Sequence, residues 1–177
     1  RNPCMPVFRE NTIWPGMMQD DLAAVMALAG AIHPDYPEDT AIFTERLRLC
    51  PEGCLVLERE GVVCGYLISH PWRGLVCPPL NTLLHTLPSP ADRWYLHDLA
   101  LAPATRGGGH AKAAIEHAHA LARRNGLRWL TLTSTGPARS FWLRQGFVEE
   151  HPTAEEQAVL ATYDAQAQLL SCPVRPE

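Results

Sequence analysis

The chain has no apolar run long enough to cross a bilayer. The longest, Leu22 to Ile32, falls well short of the ~20 residues that a spanning helix needs. It also has no dominant charge. A formal net charge of -4 over 177 residues supplies neither a basic patch for nucleic acid nor a polybasic stretch for an anionic membrane, so neither partner is expected. Paired cysteine motifs are missing as well. The six cysteines are Cys4, Cys50, Cys54, Cys64, Cys77 and Cys172, and a chain of this size needs no disulfide framework to build a core. Cys50 and Cys54 flank a Pro-Glu-Gly turn, and with His70 or His110 they would make a zinc set. No second cysteine pair joins them, so no metal is expected. Arg1-Asn2-Pro3-Cys4 lacks the apolar core of a secretory signal. Reduced thiols in a cytoplasm are therefore the expectation. No internal repeat or linker interrupts the chain, and residues 3–175 are expected to form a single domain around a sizeable core, since 46% of the residues are hydrophobic.

What is present is an alternation of helical and strand patterns. Pro6 to Glu10 reads as a short strand. Gln19 to His33 carries a helical stripe at Leu22, Val25, Ala29 and Ile32, and His33-Pro34-Asp35-Tyr36-Pro37 ends it. Thr40 to Cys50 reads as a second helix. Gly53 to Glu58 and Val62 to Ser69 form a hairpin turned near Glu60-Gly61. Pro71 to Asp92 is a long proline-rich segment with a short helical turn expected at Asn81 to Leu87. It serves either as a connector or as a lining for a substrate. Trp94 to Leu101 is a strand, Ala111 to Asn125 a helix closed by Gly126, and Arg128 to Ser134 another strand. Pro137 to Gln145 is a short helix, and Gly146-Phe147 starts a strand. Glu155 to Ala161 has no clear pattern, and Ala165 to Cys172 is a weak last strand.

The most informative residues are Arg106-Gly107-Gly108-Gly109-His110-Ala111, between a strand and a helix. Glycines let the backbone approach a ligand closely because no Cβ intervenes. The unpaired N–H groups and dipole of a helix start favour phosphate. The segment is not an NTPase loop, because Ala113 rather than a hydroxyl residue follows Lys112. Nor is it a dinucleotide fingerprint, because Lys112 takes the third glycine position. These two mismatches weigh against a nucleotide-binding protein of another fold. The pattern Q/R-x-x-G-x-G/A is filled by Arg106, Gly109 and Ala111.

That pattern resembles motif A of the GNAT superfamily of acetyl-CoA-dependent N-acetyltransferases. Leu99-Ala100-Leu101-Ala102-Pro103 is similar to the L-x-V-x-P segment before it. Ala138-Arg139-Ser140-Phe141-Trp142-Leu143-Arg144-Gln145-Gly146-Phe147 is similar to the family's A-x-x-F/L-Y-x-x-x-G-F. The resemblance runs from end to end. It implies an α/β (by some schemes α+β) fold, with a mixed central sheet of about six or seven strands split like a V and helices on both faces.

The resemblance further implies acetyl-CoA as co-substrate, lying between the strands Trp94–Leu101 and Arg128–Ser134. Leu99, Ala100 and Leu101 would pair with its pantetheine arm, and an N–H of Leu101 or a neighbour would face the thioester carbonyl, where a preset donor favours a developing oxyanion. Arg106, Gly107, Gly108, Gly109, His110 and Ala111 would hold the pyrophosphate. Thr135, Ala138, Phe141 and Trp142 would complete the cofactor site. The acceptor, the amine of a small molecule or peptide, would lie near Tyr36, Trp72 and Tyr95. It must lose a proton before direct attack, and His97 and Asp98 are the candidate bases. Tyr95 and His97 match the two histidines of the His-x-His strand of serotonin N-acetyltransferases. An imidazole suits proton relay near neutrality. Adjacent residues of a regular strand face opposite sides, so only one of the two is expected in the pocket. The family's proton-donating tyrosine is replaced by Trp142, whose indole is not a useful acid. The usual protonation of the thiolate is then lost, or it comes from water or another hydroxyl, with Tyr163 and Tyr95 as the candidates; the alternative is a CoA-binding or sensor domain without turnover. His117 and His119 are expected on the surface. A monomer or homodimer is expected.

Overall fold

A computed structural model describes residues 13–177. The strand expected at Pro6 to Glu10, and Cys4, lie outside them. Among the described residues, six strands form one mixed sheet: β1 (Cys54–Arg59), β2 (Val62–Trp72), β3 (Arg93–Leu101), β4 (Trp129–Ser134), β5 (Val148–Glu149) and β6 (Gln168–Pro173). Their spatial order is β1-β2-β3-β4-β6-β5. Every pairing is antiparallel except β3 with β4. The β1–β2 hairpin turns through Glu60 and Gly61, both at positive φ. β6, weak by composition, is locked between β4 and β5 because Leu169 and Leu170 are buried.

Helices cover both faces. α1 (Leu22–Ile32) and α2 (Thr40–Leu49) bury Leu22, Val25, Ile42 and Phe43 against Val56, Tyr66, Ile68 and Ala100. On the other face, α3 (His110–Arg124) packs Ala114, Ile115, Ala118, Leu121 and Ala122 onto Leu67, Trp94, Leu96 and Leu130. The small residues of this stripe let the helix approach the sheet closely. The buried stripe also takes in His119, fully buried rather than on the surface. The backbone N–H of Arg175 donates to His119 Nδ1 at 3.0 Å. Burial, and then the Arg175 charge, push that imidazole down to about 4. α4 (Arg139–Arg144) follows a 3-10 turn at Gly136–Ala138. α5 (Ala154–Leu160) is started by a reciprocal cap between Thr153 and Glu156 that the sequence pattern did not reveal.

No helix forms between Asn81 and Leu87. The backbone groups that a helical turn would use are taken by α2. Glu45 accepts the N–H groups of Leu84 (2.6 Å) and His85 (3.0 Å), and Arg46 donates to the Thr82 carbonyl. Asn81 and His85 sit at positive φ, which interrupts helical backbone. The segment 73–92 is thus pinned to α2 at Thr82, Leu84 and His85 and to the residues after α5 at Pro78 and Leu80.

Candidate active site

β3 and β4 pair over only three positions, Trp94 with Leu130, Tyr95 with Thr131 and Leu96 with Leu132. Beyond Leu96 the strands part. β4 continues with β6 to Ser134, while β3 stays with β2 to Leu101. The β3 edge from His97 to Leu101 therefore faces a gap instead of a strand. A cleft of about 950 Å³ occupies this V.

The β2–β3 register slips at the mouth of the V. Ile68 pairs with Asp98 but Ser69 with Leu96, so His97 is an extra, bulged residue. A bulge breaks the two-residue alternation. Trp94, Leu96, Leu99 and Leu101 pack toward α3, whereas Ala100 packs under α1 and α2, and both His97 and Asp98 line the cleft. The expectation that only one of them does so is corrected by this single residue.

At one end of the cleft lies the glycine loop. Gly107 (φ 85) and Gly109 (φ 77) adopt left-handed backbone, and a Cβ on either would meet nothing within 4 Å. Gly109 caps α3, whose first-turn N–H groups have no helical partners. Loop and helix start together form an anion cradle with free space above it. Gly108 does not line the cleft. A Cβ there would lie 3.0 Å from His110 Nε2. Arg106 Nε donates to the Leu101 carbonyl at 3.3 Å, so the side chain braces the loop. Arg106, Gly107, Gly109, His110, Ala111 and Lys112 line this end, with Leu99, Ala100 and Leu101 beside them. Thr135, Ala138, Phe141 and Trp142 line the opposite wall. Trp142 is 9% exposed, with edge contacts to Phe141 (5.0 Å, 67°) and Phe147 (5.4 Å, 70°). It is a packed aromatic that also reaches the cleft.

At the other end, two carboxylate–imidazole pairs line the cleft. His97 Nε2 lies 2.7 Å from Glu38 Oε1, with side chains only 1% and 6% exposed. Burial opposes ionisation of Glu38, but His97 and the Asn81 N–H on its other oxygen (3.0 Å) outweigh it and hold the carboxyl below its ordinary range. His97 Nδ1 is enclosed and has no protein partner. Asp98 is engaged on both oxygens. Tyr66 donates to Oδ2 at 2.7 Å, and His33 Nε2 lies 3.2 Å from Oδ1. The hydrogen bond to Asp98 raises the His33 pKa despite partial burial. Tyr36 lines the same end and donates to Asp164 at 2.5 Å.

Trp72 and Tyr95, assigned to the acceptor site from sequence, do not line the cleft. They pack with Cys77, Leu160 and Leu169 in a separate cluster, with Tyr95 1% exposed and its hydroxyl 2.8 Å from Thr133 Oγ1. Tyr163 does line the cleft, but its hydroxyl donates to the Pro78 carbonyl at 2.7 Å. His33, Glu38 and Leu80 join the site without having been singled out by sequence. The local hint was Tyr36, in the loop His33-Pro34-Asp35-Tyr36-Pro37 that carries His33 and ends just before Glu38. Among the described residues, no group of His, Cys, Asp or Glu is arranged to hold a metal ion, and no helix is long and apolar enough to cross a membrane.

Residues 17–147 match the family model described as the acetyltransferase (GNAT) family. Solved structures with the same fold include the GphF GNAT-like decarboxylase in complex with isobutyryl-CoA. It is 19% identical with a TM-score of 0.77, over 92% of this chain and 99% of that one. The loading GNATL domain of CurA from Lyngbya majuscula is 13% identical, with a TM-score of 0.75 over 91% and 96%. N-acetylglutamate synthase from Neisseria gonorrhoeae, complexed with coenzyme A and N-acetyl-glutamate, is 15% identical, with a TM-score of 0.70 over 92% of this chain and 35% of that one. No curated protein sequence matches the chain.

Proposed function

The chain belongs to the acetyltransferase (GNAT) family, and from that premise we propose that it is an acetyl-CoA-dependent N-acetyltransferase acting on the amine of a small molecule or peptide. One observation carries this reading: a single cleft joins an open anion cradle at Gly107–Gly109 to paired imidazoles and carboxylates at His97–Glu38 and His33–Asp98. The cradle suits the pyrophosphate of CoA, and the structural neighbours bound to isobutyryl-CoA and to coenzyme A support that ligand. The thioester supplies an activated acetyl group. The chain's part is to hold it against the open β3 edge, where backbone N–H groups face the carbonyl, and to relieve the incoming ammonium of its proton. His97 is the proton acceptor in this reading. Asp98, bound by both Tyr66 and His33, anchors the acceptor end.

The polarity of the cleft narrows the acceptor. Arg106 and Lys112 stand at the cradle end, while Asp35, Glu38 and Asp98 stand at the other. Among the described residues no Arg or Lys lines the acceptor end, and His33, held toward its charged form, is already paired with Asp98, so a substrate carboxylate would enter without a free counter-charge. A cationic amine that carries no carboxylate fits, and Ile32, Tyr36 and Leu80 offer apolar contact for its body. In the same reading the protein works in the cytoplasm, as a single domain over residues 3–175 and as a monomer or homodimer. The five described cysteines are free, and burial pushes Cys50 up to about 11 and Cys54 up to about 12. That suits a reducing compartment.

The test is thiol release from acetyl-CoA with matched amines, tyramine against tyrosine and tryptamine against tryptophan. The carboxylate-free member of each pair is expected to be acetylated at least about tenfold faster. Because one structural neighbour is a GNAT-like decarboxylase, the assay is repeated with a carboxyacyl-CoA and no amine. Decarboxylation there, with no amine acetylated, would replace the acetyl-transfer reading.

A second reading, a CoA-binding domain without turnover, is favoured by Trp142 in the place of the family's tyrosine. Trp142→Phe is expected to keep most of kcat, since packing is what the indole supplies. Trp142→Ala is expected to destabilise the fold by about 3 kcal/mol and to weaken CoA binding. Loss of turnover in the Phe variant with CoA binding intact would show that the indole takes part in the chemistry.

A further inference from the structure

We propose that Glu38 is the positioning residue for His97, fixing the imidazole's tautomer and tying it to the segment 73–92. This rests on the acetyl-transfer reading for its role but not for its geometry. Both side chains are buried, the separation is 2.7 Å, and the second oxygen of Glu38 accepts the backbone N–H of Asn81 at 3.0 Å. An ionised carboxylate has no proton to give. His97 Nε2 must therefore carry the hydrogen, which leaves the lone pair of a neutral ring on Nδ1. Nδ1 is the one ring nitrogen without a protein partner, in a residue that lines the cleft.

The assignment gives each atom a task. A proton leaves the acceptor ammonium and reaches Nδ1 through water, since Nδ1 is enclosed and the side chain is only 1% exposed; the Nδ1–H bond forms while the electron pair stays on the amine for attack. The ring becomes an imidazolium whose charge is stabilised by Glu38, and Glu38 itself stays ionised. The proton on the ring is then available to the departing thiolate, the task left open by Trp142. The charged and titratable groups around the pair are His33 after α1, Arg46 of α2, Tyr66 and His70 of β2, Tyr95 and Asp98 of β3, and Tyr163 after α5. Arg46 is matched by Glu45 at 3.0 Å, and Asp98 by His33. His70 is held neutral by burial, its pKa pushed down to about 3. Glu38 is thus the charged group bonded to the His97 ring.

Asn81 extends the connection outward. Its side-chain oxygen accepts the Asp39 N–H at 2.8 Å, and the neighbouring Thr82, Leu84 and His85 are clamped by Arg46 and Glu45. One carboxylate therefore joins the orientation of the ring to the start of the loop at Asn81, beside the clamp made by Glu45 and Arg46. A Glu at 38 serves both because its two oxygens are shared out, one to each.

Nitrogen NMR of the His97 ring tests this without any substrate. The wild-type ring is expected as the Nε2–H tautomer. In Glu38→Gln the amide can present its NH2 instead, and a shift toward the Nδ1–H tautomer is expected. With a turned-over amine, Glu38→Gln should lower kcat about tenfold, move the acidic limb of the pH profile to lower pH, and leave the KM for acetyl-CoA within about twofold. Glu38→Asp should recover part of the loss. Adding Glu38→Gln to His97→Gln should cost nothing further, because the carboxylate acts through that ring. An unchanged tautomer in a folded Glu38→Gln protein, or full additivity of the two substitutions, would overturn the proposal. Absence of turnover in the wild type, with the tautomer as expected, would overturn the acetyl-transfer reading and leave the positioning intact.

Discussion

His97→Gln is expected to lower kcat/KM about 10²-fold at neutral pH and to remove the acidic limb of its pH profile. Glutamine keeps a polar group of similar reach beside Glu38 but cannot titrate. In the wild type the rate should fall toward acid as the base that must accept the amine's proton is lost. Two histidines line the acceptor end, so the variant needs a partner experiment. His33 is part of the chain Tyr66–Asp98–His33, and Asp98 holds it toward its protonated form, which makes it a poor acceptor. His33→Gln is therefore expected to retain the limb and to act mainly on the KM of the amine. If the limb survives in a folded His97→Gln protein and vanishes in His33→Gln, the roles are exchanged. Asp98 then becomes the carboxylate that sets the base.

Much of this site is legible in the sequence where the signal is local. The cradle is contiguous. Three glycines, a strand before them and a helix after them suffice to place the open loop at the head of α3, because its shape is a matter of backbone that no side chain obstructs. The helices α1, α2 and α3 follow from the spacing of Leu22 and Val25, of Phe43 and Leu47, and of Ala114, Ala118 and Leu121. The acceptor end is different because its parts come from distant segments. Glu38 meets His97 across 59 positions, and no spacing rule spans that distance. The bulge at His97 is also silent in the sequence. One unpaired residue reverses which face the rest of β3 presents, so an argument from strict alternation separates two residues that share a cleft. The aromatic character that points Trp72 and Tyr95 to an acceptor pocket instead packs them with Cys77 and Leu169, Tyr95 fully buried and Trp72 partly. Asn81 to Leu87 failed as a helical turn because Glu45 and Arg46, buried on α2, claim its backbone groups. Local propensity yields to such charge-assisted bonds.

Gly109→Val is expected to weaken CoA binding about 30-fold or more, near 2 kcal/mol. Two physical effects contribute, and they are separable. Gly109 sits at φ 77, a left-handed conformation that costs an L-residue roughly 1–2 kcal/mol and a β-branched one more. A Cβ at this position meets no protein atom within 4 Å, so the added side chain occupies the space through which a phosphate must approach the N–H groups at the start of α3. The strain acts on the fold whether or not ligand is present. The obstruction acts only on binding. Gly126 offers the control: it too has positive φ (70) and an open Cβ position, but it ends α3 instead of starting it. Gly126→Val should lower the melting temperature to a similar extent while leaving CoA affinity within about twofold. Calorimetry that finds wild-type affinity in a folded Gly109→Val protein would remove the pyrophosphate from this loop. Equal losses in both variants would mean that strain alone is being measured. A loss confined to Gly109 means that the helix start receives the anion, and that the glycine is there to keep its approach open.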